Sequence, residues 1–235
     1  MSVGRPAGLP RVIFVTGTDT GIGKTRISLG LIERLKSAGL RVAAMKPVAS
    51  GCARTPQGLR NADALALQAA ASFPIPYERL NPYAFEPPIA PHLAAERAGE
   101  AIRLEPLRKA CAALAVEADV VVVEGVGGWA VPLGEHLMLA DLAAELAASV
   151  LLVVGMRLGC LNHALLTAAA VEARGLPWYG WVANQVEPVF AAAEANLHAL
   201  RARLSPPLRG VVPWLEGAEV ADVARCLWLD ETGPG

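Results

Sequence analysis

Lysine is scarce in this chain: four of its 235 residues, against seventeen arginines. Two of the four, Lys24 and Lys46, stand in loops just after short apolar runs. Lysine and arginine are not interchangeable at compact phosphate sites, so these two are singled out. Other absences narrow the function. No apolar run reaches the ~18 residues that suggest a membrane span. There is no basic stripe and the net charge is −1, which argues against nucleic acid as a partner. The opening MSVGRPAGLPR has no apolar h-region, so it does not read as a signal peptide; residues 1–11 are expected to be a loose extension. Cys52, Cys111, Cys160 and Cys226 lie far apart without metal-ligand spacing and read as reduced thiols of a cytoplasmic protein. His92, His136, His163 and His198 suggest neither a metal site nor a triad. With no internal repeat, low-complexity tract or interdomain linker, residues 12–235 read as one domain with room for a substantial core.

What is present centres on Val12 to Ser28, VIFVTGTDTGIGKTRIS. This is a short apolar strand, a loop containing glycines, and the start of a helix. Gly23-Lys24-Thr25 closes the loop as a P-loop closes. There backbone N–H groups cradle phosphates, the lysine reaches the outer phosphates and the Thr hydroxyl sits on Mg²⁺. The strict pattern places glycine five residues before Gly23, where this chain has Thr18; Gly17 lies one residue earlier. The loop is therefore a variant, and an ordinary strand–Gly–helix turn is the alternative.

Along the rest of the chain, Arg26 to Ala38 has helical spacing and ends before Gly39. Strand Arg41–Met45 is followed by Lys46-Pro47-Val48-Ala49-Ser50-Gly51, and Gly51 to Arg60 reads as a polar loop. Asn61 or Asp63 opens a helix over Ala64–Ala71. Six prolines between Pro74 and Pro91 exclude regular helix and central strand there and predict a long loop. Helices are expected at Leu104–Glu117, Leu139–Ala148, Leu161–Arg174 and Phe190–Leu204. Strands are expected at Asp119–Val123, Ser149–Val154, Tyr179–Ala183 and Gly210–Val212. Alternation of this kind means βαβ units, hence an α/β fold with a mainly parallel sheet and helices on both faces.

In such a sheet the ligand lies beyond the carboxyl ends of the strands, where Lys24, Thr25, Lys46, Ser50, Glu124, Arg157 and Asn184 all fall. Glu124 ends a four-valine strand; it can contact Mg²⁺, which needs one or two carboxylates beside the phosphates, or it can pair with an arginine. Gly125, Gly127 and Gly128 either let backbone approach a ligand or form a plain turn. Asp63 reads first as a helix N-cap or first-turn residue. Lys46, if its strand neighbours the P-loop strand, can offset transition-state charge; the alternative is a solvated lysine. Asn184 can read an adenine edge or form a turn.

Together GTDTGIGKT, KPVASG, GLRNADALAL, NPYAFEPPIAPH, VEGVGGWAVPL, VVGMRLGCLNHALLT, GWVANQV and VPWL resemble the dethiobiotin synthetases, in order, from about Val12 to Leu215. The resemblance implies a P-loop NTPase-like fold and a cytoplasmic homodimer. It also implies an ATP- and Mg²⁺-dependent ligase that joins CO₂ to 7,8-diaminononanoate and releases ADP and phosphate. By motif, Lys24 and Lys46 resemble the catalytic lysines, and Thr25, Asp63 and Glu124 the metal ligands. Thr20, Gly21, Ile22, Gly23, Arg26, Gly125, Val126 and Gly127 fall in nucleotide-contacting segments. Asn184, Gln185, Pro213, Trp214 and Leu215 match the adenine side. Ser50 matches the substrate-side hydroxyl, and Gly159, Cys160, Leu161 and Asn162 the segment that holds the substrate carboxylate across the dimer. Gly21 departs from the family, where glutamate is frequent, and the tail after Leu215 matches poorly.

Two other classes share the P-loop. A partitioning-type ATPase switch carries an extra lysine early in the loop, where this chain has Thr18 and Asp19. An amidase of the cobyrinic acid type needs a glutamine-hydrolysing domain for which this chain is too short.

Overall fold

The computed structural model describes residues 5, 6, 8–217 and 219–230. Strand β1 (Val12–Gly17) leads through the P-loop into α1 (Lys24–Ser37) and β2 (Val42–Met45). A side branch follows: β3 (Val48–Ala49), β4 (Ala53–Thr55), β5 (Gly58–Arg60), α2 (Ala62–Ala70), α3 (Tyr77–Leu80), β6 (Tyr83–Ala84) and α4 (Pro91–Arg97). The chain returns through α5 (Leu104–Glu117) and β7 (Val120–Glu124). It then continues with α6 (Leu139–Glu145), β8 (Ser149–Met156), α7 (Cys160–Ala173), β9 (Trp178–Gln185), α8 (Ala193–Arg201), β10 (Leu208–Val212) and α9 (Val220–Arg225).

Six strands form one sheet in the order β10-β9-β8-β1-β7-β2, and every pairing in it is parallel. The valines of β7 are wholly buried, as a strand covered on both faces requires; each contributes on the order of 1.5–3 kcal/mol of hydrophobic stabilisation. The chain steps right from β1 to β2 and left thereafter. Right-handed crossovers therefore put α1 on one face and α5 to α8 on the other. The packing agrees: α1 lies against α2 and α9, α5 against α6, and α7 against α8. Leu152 and Val154 of β8 join α7 and α8 in a second apolar cluster, while Leu151 and Val153 face the main core, as period-two alternation dictates.

One expectation is corrected. The second strand does not neighbour the P-loop strand, because β7 lies between β1 and β2. Lys46 is thus two strands away from the P-loop, and Glu124, at the end of β7, stands between them. Other differences are local. Prolines punctuate the Pro74–Pro91 segment without excluding structure: Pro76 precedes the single turn α3 and Pro91 opens α4, places where a missing N–H costs nothing. Within it β6 pairs with β3, off the main sheet. The expected Gly51–Arg60 loop contains the antiparallel β4–β5 hairpin, turned by Pro56-Gln57. The poorly matching tail forms α9, which packs on α1 where Gly30 leaves room; a Cβ there would meet Val223 at 2.6 Å. Residues 1–4 and 7 of the expected extension, and 231–235, lie outside the described residues, while Leu9 is buried in the core. The four cysteines are free thiols. No helix among the described residues is long and apolar enough to cross a membrane.

Candidate active site

The carboxyl ends of β1, β7 and β2 open into a cleft of about 850 Å³. The first element of the cleft is the P-loop. Thr18 occupies the expected glycine position without strain: Ala147 is the one non-glycine with positive φ among the described residues. The first half of the loop is braced instead of flexible, with Thr18 N–H donating to Val153 O at 3.0 Å and Gly155 N–H to Thr18 Oγ1 at 3.4 Å. The second half needs glycine. Gly23 has φ 85°, and a Cβ there would lie 2.3 Å from Asn184 Nδ2. Gly23 is the N-cap of α1, so the helix begins at Lys24 and its unpaired N–H groups face the loop, an arrangement suited to anions. Lys24 folds back, its Nζ donating to Asp19 O at 2.8 Å. Burial pushes its ammonium down to about 8; nearby Lys46 pushes the same way, and Glu124, Asp19 and Asp63 oppose it.

The second element is the carboxylate at the end of β7. Glu124 is 0% exposed. Its Oε1 accepts from Thr25 Oγ1 at 2.9 Å and from Lys46 Nζ at 2.5 Å, whereas Oε2 is buried without a partner. Lys46 also donates to Gly125 O at 3.2 Å and lies 3.6 Å from Asp63 Oδ2. Of the two residues expected to open α2, Asp63 lies in its first turn. Asn61 caps α2, its Oδ1 accepting from Ala64 N–H at 3.1 Å, which leaves the Asp63 carboxylate to face Lys46. The loop after β7 is anchored by Trp129, edge-on to Phe14 at 6.5 Å.

The cleft brings together Thr20, Gly21, Gly23, Lys24, Thr25, Lys46, Ser50, Asp63, Glu124, Val126 and Gly127. Ser50 Oγ is buried with no partner. Sequence reasoning missed the wall Pro88-Ile89-Ala90-Pro91, although a loop as long as the one expected there is often functional. Gly125 lies beneath the cleft through its carbonyl to Lys46, and Ile22 packs in the core.

The remaining candidates lie elsewhere. Asn184 is buried on β9 and donates from Nδ2 to Ile22 O at 2.8 Å, with Oδ1 unpartnered. Gln185 turns away to Glu187 O and Pro188 O. Arg26 donates to Leu215 O at 3.5 Å, and Trp214, beside Pro213, is 42% exposed. Asn184 pairs in register with Val212, which sets Asn184 next to the Pro213–Leu215 segment. The segment Gly159-Cys160-Leu161-Asn162 begins α7 with Gly159 as N-cap and does not line this cleft.

Residues 11–221 match a family model described as an AAA domain. The chain is 54% identical over 220 residues to the ATP-dependent dethiobiotin synthetase BioD of Xanthomonas oryzae pv. oryzae (strain PXO99A), across 94% of this chain and 98% of that protein. It is also 54% identical over 223 residues to the protein of that name from Pseudomonas aeruginosa (strain UCBPP-PA14), with shares of 94% and 98%. Among solved structures, the MinC:MinD cell division complex of Aquifex aeolicus aligns with a TM-score of 0.58 at 16% identity, over 92% of this chain and 86% of that one. MinD of the same organism aligns at 0.56 and 17%, over 95% and 91%. At these identities the structural likeness is one of fold alone.

Proposed function

Because the chain belongs to the ATP-dependent dethiobiotin synthetase family, we propose that it joins CO₂ to 7,8-diaminononanoate and closes the cyclic urea, releasing ADP and phosphate. The observation that carries this reading is the convergence of Lys24, Thr25, Lys46, Asp63 and Glu124 on one cleft whose other wall holds Ser50 and Pro88–Pro91. One side of the cleft suits phosphates; the other has room and a free hydroxyl for a small polar substrate.

The donor set fits Mg²⁺. Among the described residues no three His, Cys, Asp or Glu side chains are grouped to hold a metal. A nucleotide-bound Mg²⁺ needs only one or two carboxylates, with phosphates and water completing its shell. Glu124 Oε2 is a buried carboxylate oxygen without a partner, a costly arrangement unless a cation completes it. Thr25, Asp63 and Glu124 would hold the ion, which when bound supplies charge neutralisation at the phosphates.

The reading assigns the steps as follows. One amine of the substrate and CO₂ form a carbamate beside Ser50. A carbamate oxygen attacks the γ-phosphorus of ATP, and ADP leaves. The second amine then attacks the carbonyl carbon of the mixed carbamic–phosphoric anhydride, and phosphate leaves with that oxygen. The α1 N-terminus and Lys24 hold the nucleotide phosphates. Lys46, fixed by Glu124 and Gly125 O, places a cation between the anionic reactants before they meet. Asn184 and Pro213–Leu215 receive the base.

The same reading includes a cytoplasmic homodimer. Leu158, 88% exposed just before α7, and Leu166, 63% exposed midway along it, support a partner there, whose Gly159–Asn162 turn would hold the substrate carboxylate. ADP release measured with diamine plus bicarbonate, against glutamine plus a carboxylic acid, tests the assignment. Turnover in the first mixture alone is expected; turnover in the second alone would overturn it.

A further inference from the structure

The P-loop is tied at three places to β8 and the connector that follows it. Two reach backbone groups of β8, Thr18 N–H donating to Val153 O and Gly155 N–H to Thr18 Oγ1. The third is a side-chain pair: Arg157 Nη2 donates to Asp19 Oδ2 at 2.5 Å. Asp19 is otherwise fully committed to the loop. Its Oδ1 accepts from Thr20 N–H at 2.7 Å, and its backbone O accepts from Lys24 Nζ at 2.8 Å. Arg157 lies in the short connector between β8 and α7, and its own carbonyl accepts from Cys160 N–H at 3.1 Å.

We propose that Arg157 is a positioning residue for nucleotide binding: through Asp19 it fixes the half of the P-loop that lacks the expected glycine, and so sets where Thr20 and Lys24 present their donors. A P-loop works because its N–H groups are aimed before the phosphate arrives. With Thr18 in place of glycine, this loop obtains its shape from bracing. Thr20 N–H bonds Asp19 Oδ1 only while that carboxylate keeps its rotamer, and Arg157 is the group on the far oxygen. Both partners are between a third and a half exposed, so the pair contributes little to folding stability. Its effect is expected in the geometry of the loop.

The inference rests on the nucleotide-binding reading of the P-loop. The test is a double-mutant cycle on MgATP affinity, measured by calorimetry with Arg157→Ala, Asp19→Asn and the double variant. Each single change is expected to weaken binding by about fivefold, within the range of coupling inside one hydrogen-bonded network. The double variant should be no worse than either single one. Arg157→Lys should recover most of the loss, and KM for the diamine and the melting temperature should stay put. Losses that multiply in the double variant, or an unchanged affinity in Arg157→Ala, would overturn the inference while leaving the P-loop reading intact. Wild-type protein that binds no MgATP would overturn both. Should Asp19→Asn fail to fold, the Arg157→Ala and Arg157→Lys pair decides alone: loss with recovery supports the inference, and equal loss in both rejects it.

Discussion

Lys46 Nζ and Glu124 Oε1 are 2.5 Å apart, and both side chains are buried. This pair spans the carboxyl ends of neighbouring strands β2 and β7 and lines the cleft beside the P-loop. Its two members therefore cannot be treated as independent. Glu124 orients the lysine, the lysine offsets a carboxylate buried beside Thr25, and Oε2 is left without a partner.

Lys46→Gln should lower kcat by about 10²–10³, the usual cost of losing one preorganised charge, with ATP affinity little changed. The ion pair adds a second expectation. Removing one partner of a buried pair leaves the other uncompensated and costs about 3–5 kcal/mol, so the variant should melt lower than wild type, and Mg-nucleotide should recover part of the difference. Lys46→Arg should rescue poorly, since its planar fork is larger and differently directed. Steady-state kinetics beside thermal melts check this; near-normal kcat with much weaker ATP binding would make Lys46 a ground-state ligand only.

For Glu124→Gln, the amide keeps the shape that Thr25 and Lys46 contact but loses the charge a hard cation prefers. The Mg²⁺ concentration needed for half-maximal activity should rise, and diamine KM should change less. Calorimetry of Mg-ATP binding measures the effect. An unchanged metal requirement would reduce Glu124 to a structural partner of Lys46.

Much of this cleft was legible because polar residues after apolar strands are rare and conspicuous: Lys24, Lys46 and Glu124 could each be picked out from position alone. Their partners could not. Strand order is not written in local periodicity, so nothing in RVAAM or DVVVV reveals that β7 inserts between β1 and β2 and delivers Glu124 to Lys46. Asn61 and Asp63 both read as residues of a helix start because that is a local signal; that Asn61 caps while Asp63 faces Lys46 depends on how the helix packs. Proline content marked Pro74–Pro91 as irregular, yet proline excludes helix interiors and not helix starts, which is how α3 and α4 arise. Thr18 read as a departure from a motif, and only the bonds to β8 explain why the loop tolerates it.

Gly23→Ala should abolish tight nucleotide binding. The residue has a left-handed φ, at a cost to alanine of about 1–3 kcal/mol, and the new methyl would strike Asn184 Nδ2. The P-loop and Asn184 would be displaced together. Loss of ATP binding with a lowered melting temperature is the expected result, while an unchanged affinity would contradict the close packing of Gly23 on Asn184.

A homodimer in which one protomer's P-loop works with its partner's α7 turn has a consequence for mixing. Lys24→Ala and Asn162→Ala proteins should each be nearly inactive, but a hybrid dimer contains one site with both residues intact. Activity should reappear as subunits exchange. No recovery, with exchange verified by tagged protomers, would count against a shared site.

The most direct measurement follows the oxygen. If ATP is spent on activating a carbamate, the phosphate released must carry one oxygen from the carbon substrate. A rapid single turnover with ¹⁸O-labelled bicarbonate, diamine and Mg-ATP, quenched before label exchanges with water, should give phosphate with one ¹⁸O and an equal amount of dethiobiotin. Phosphate that instead takes its new oxygen from solvent, with no dethiobiotin formed, would show that the cleft hydrolyses ATP without joining CO₂ to the diamine.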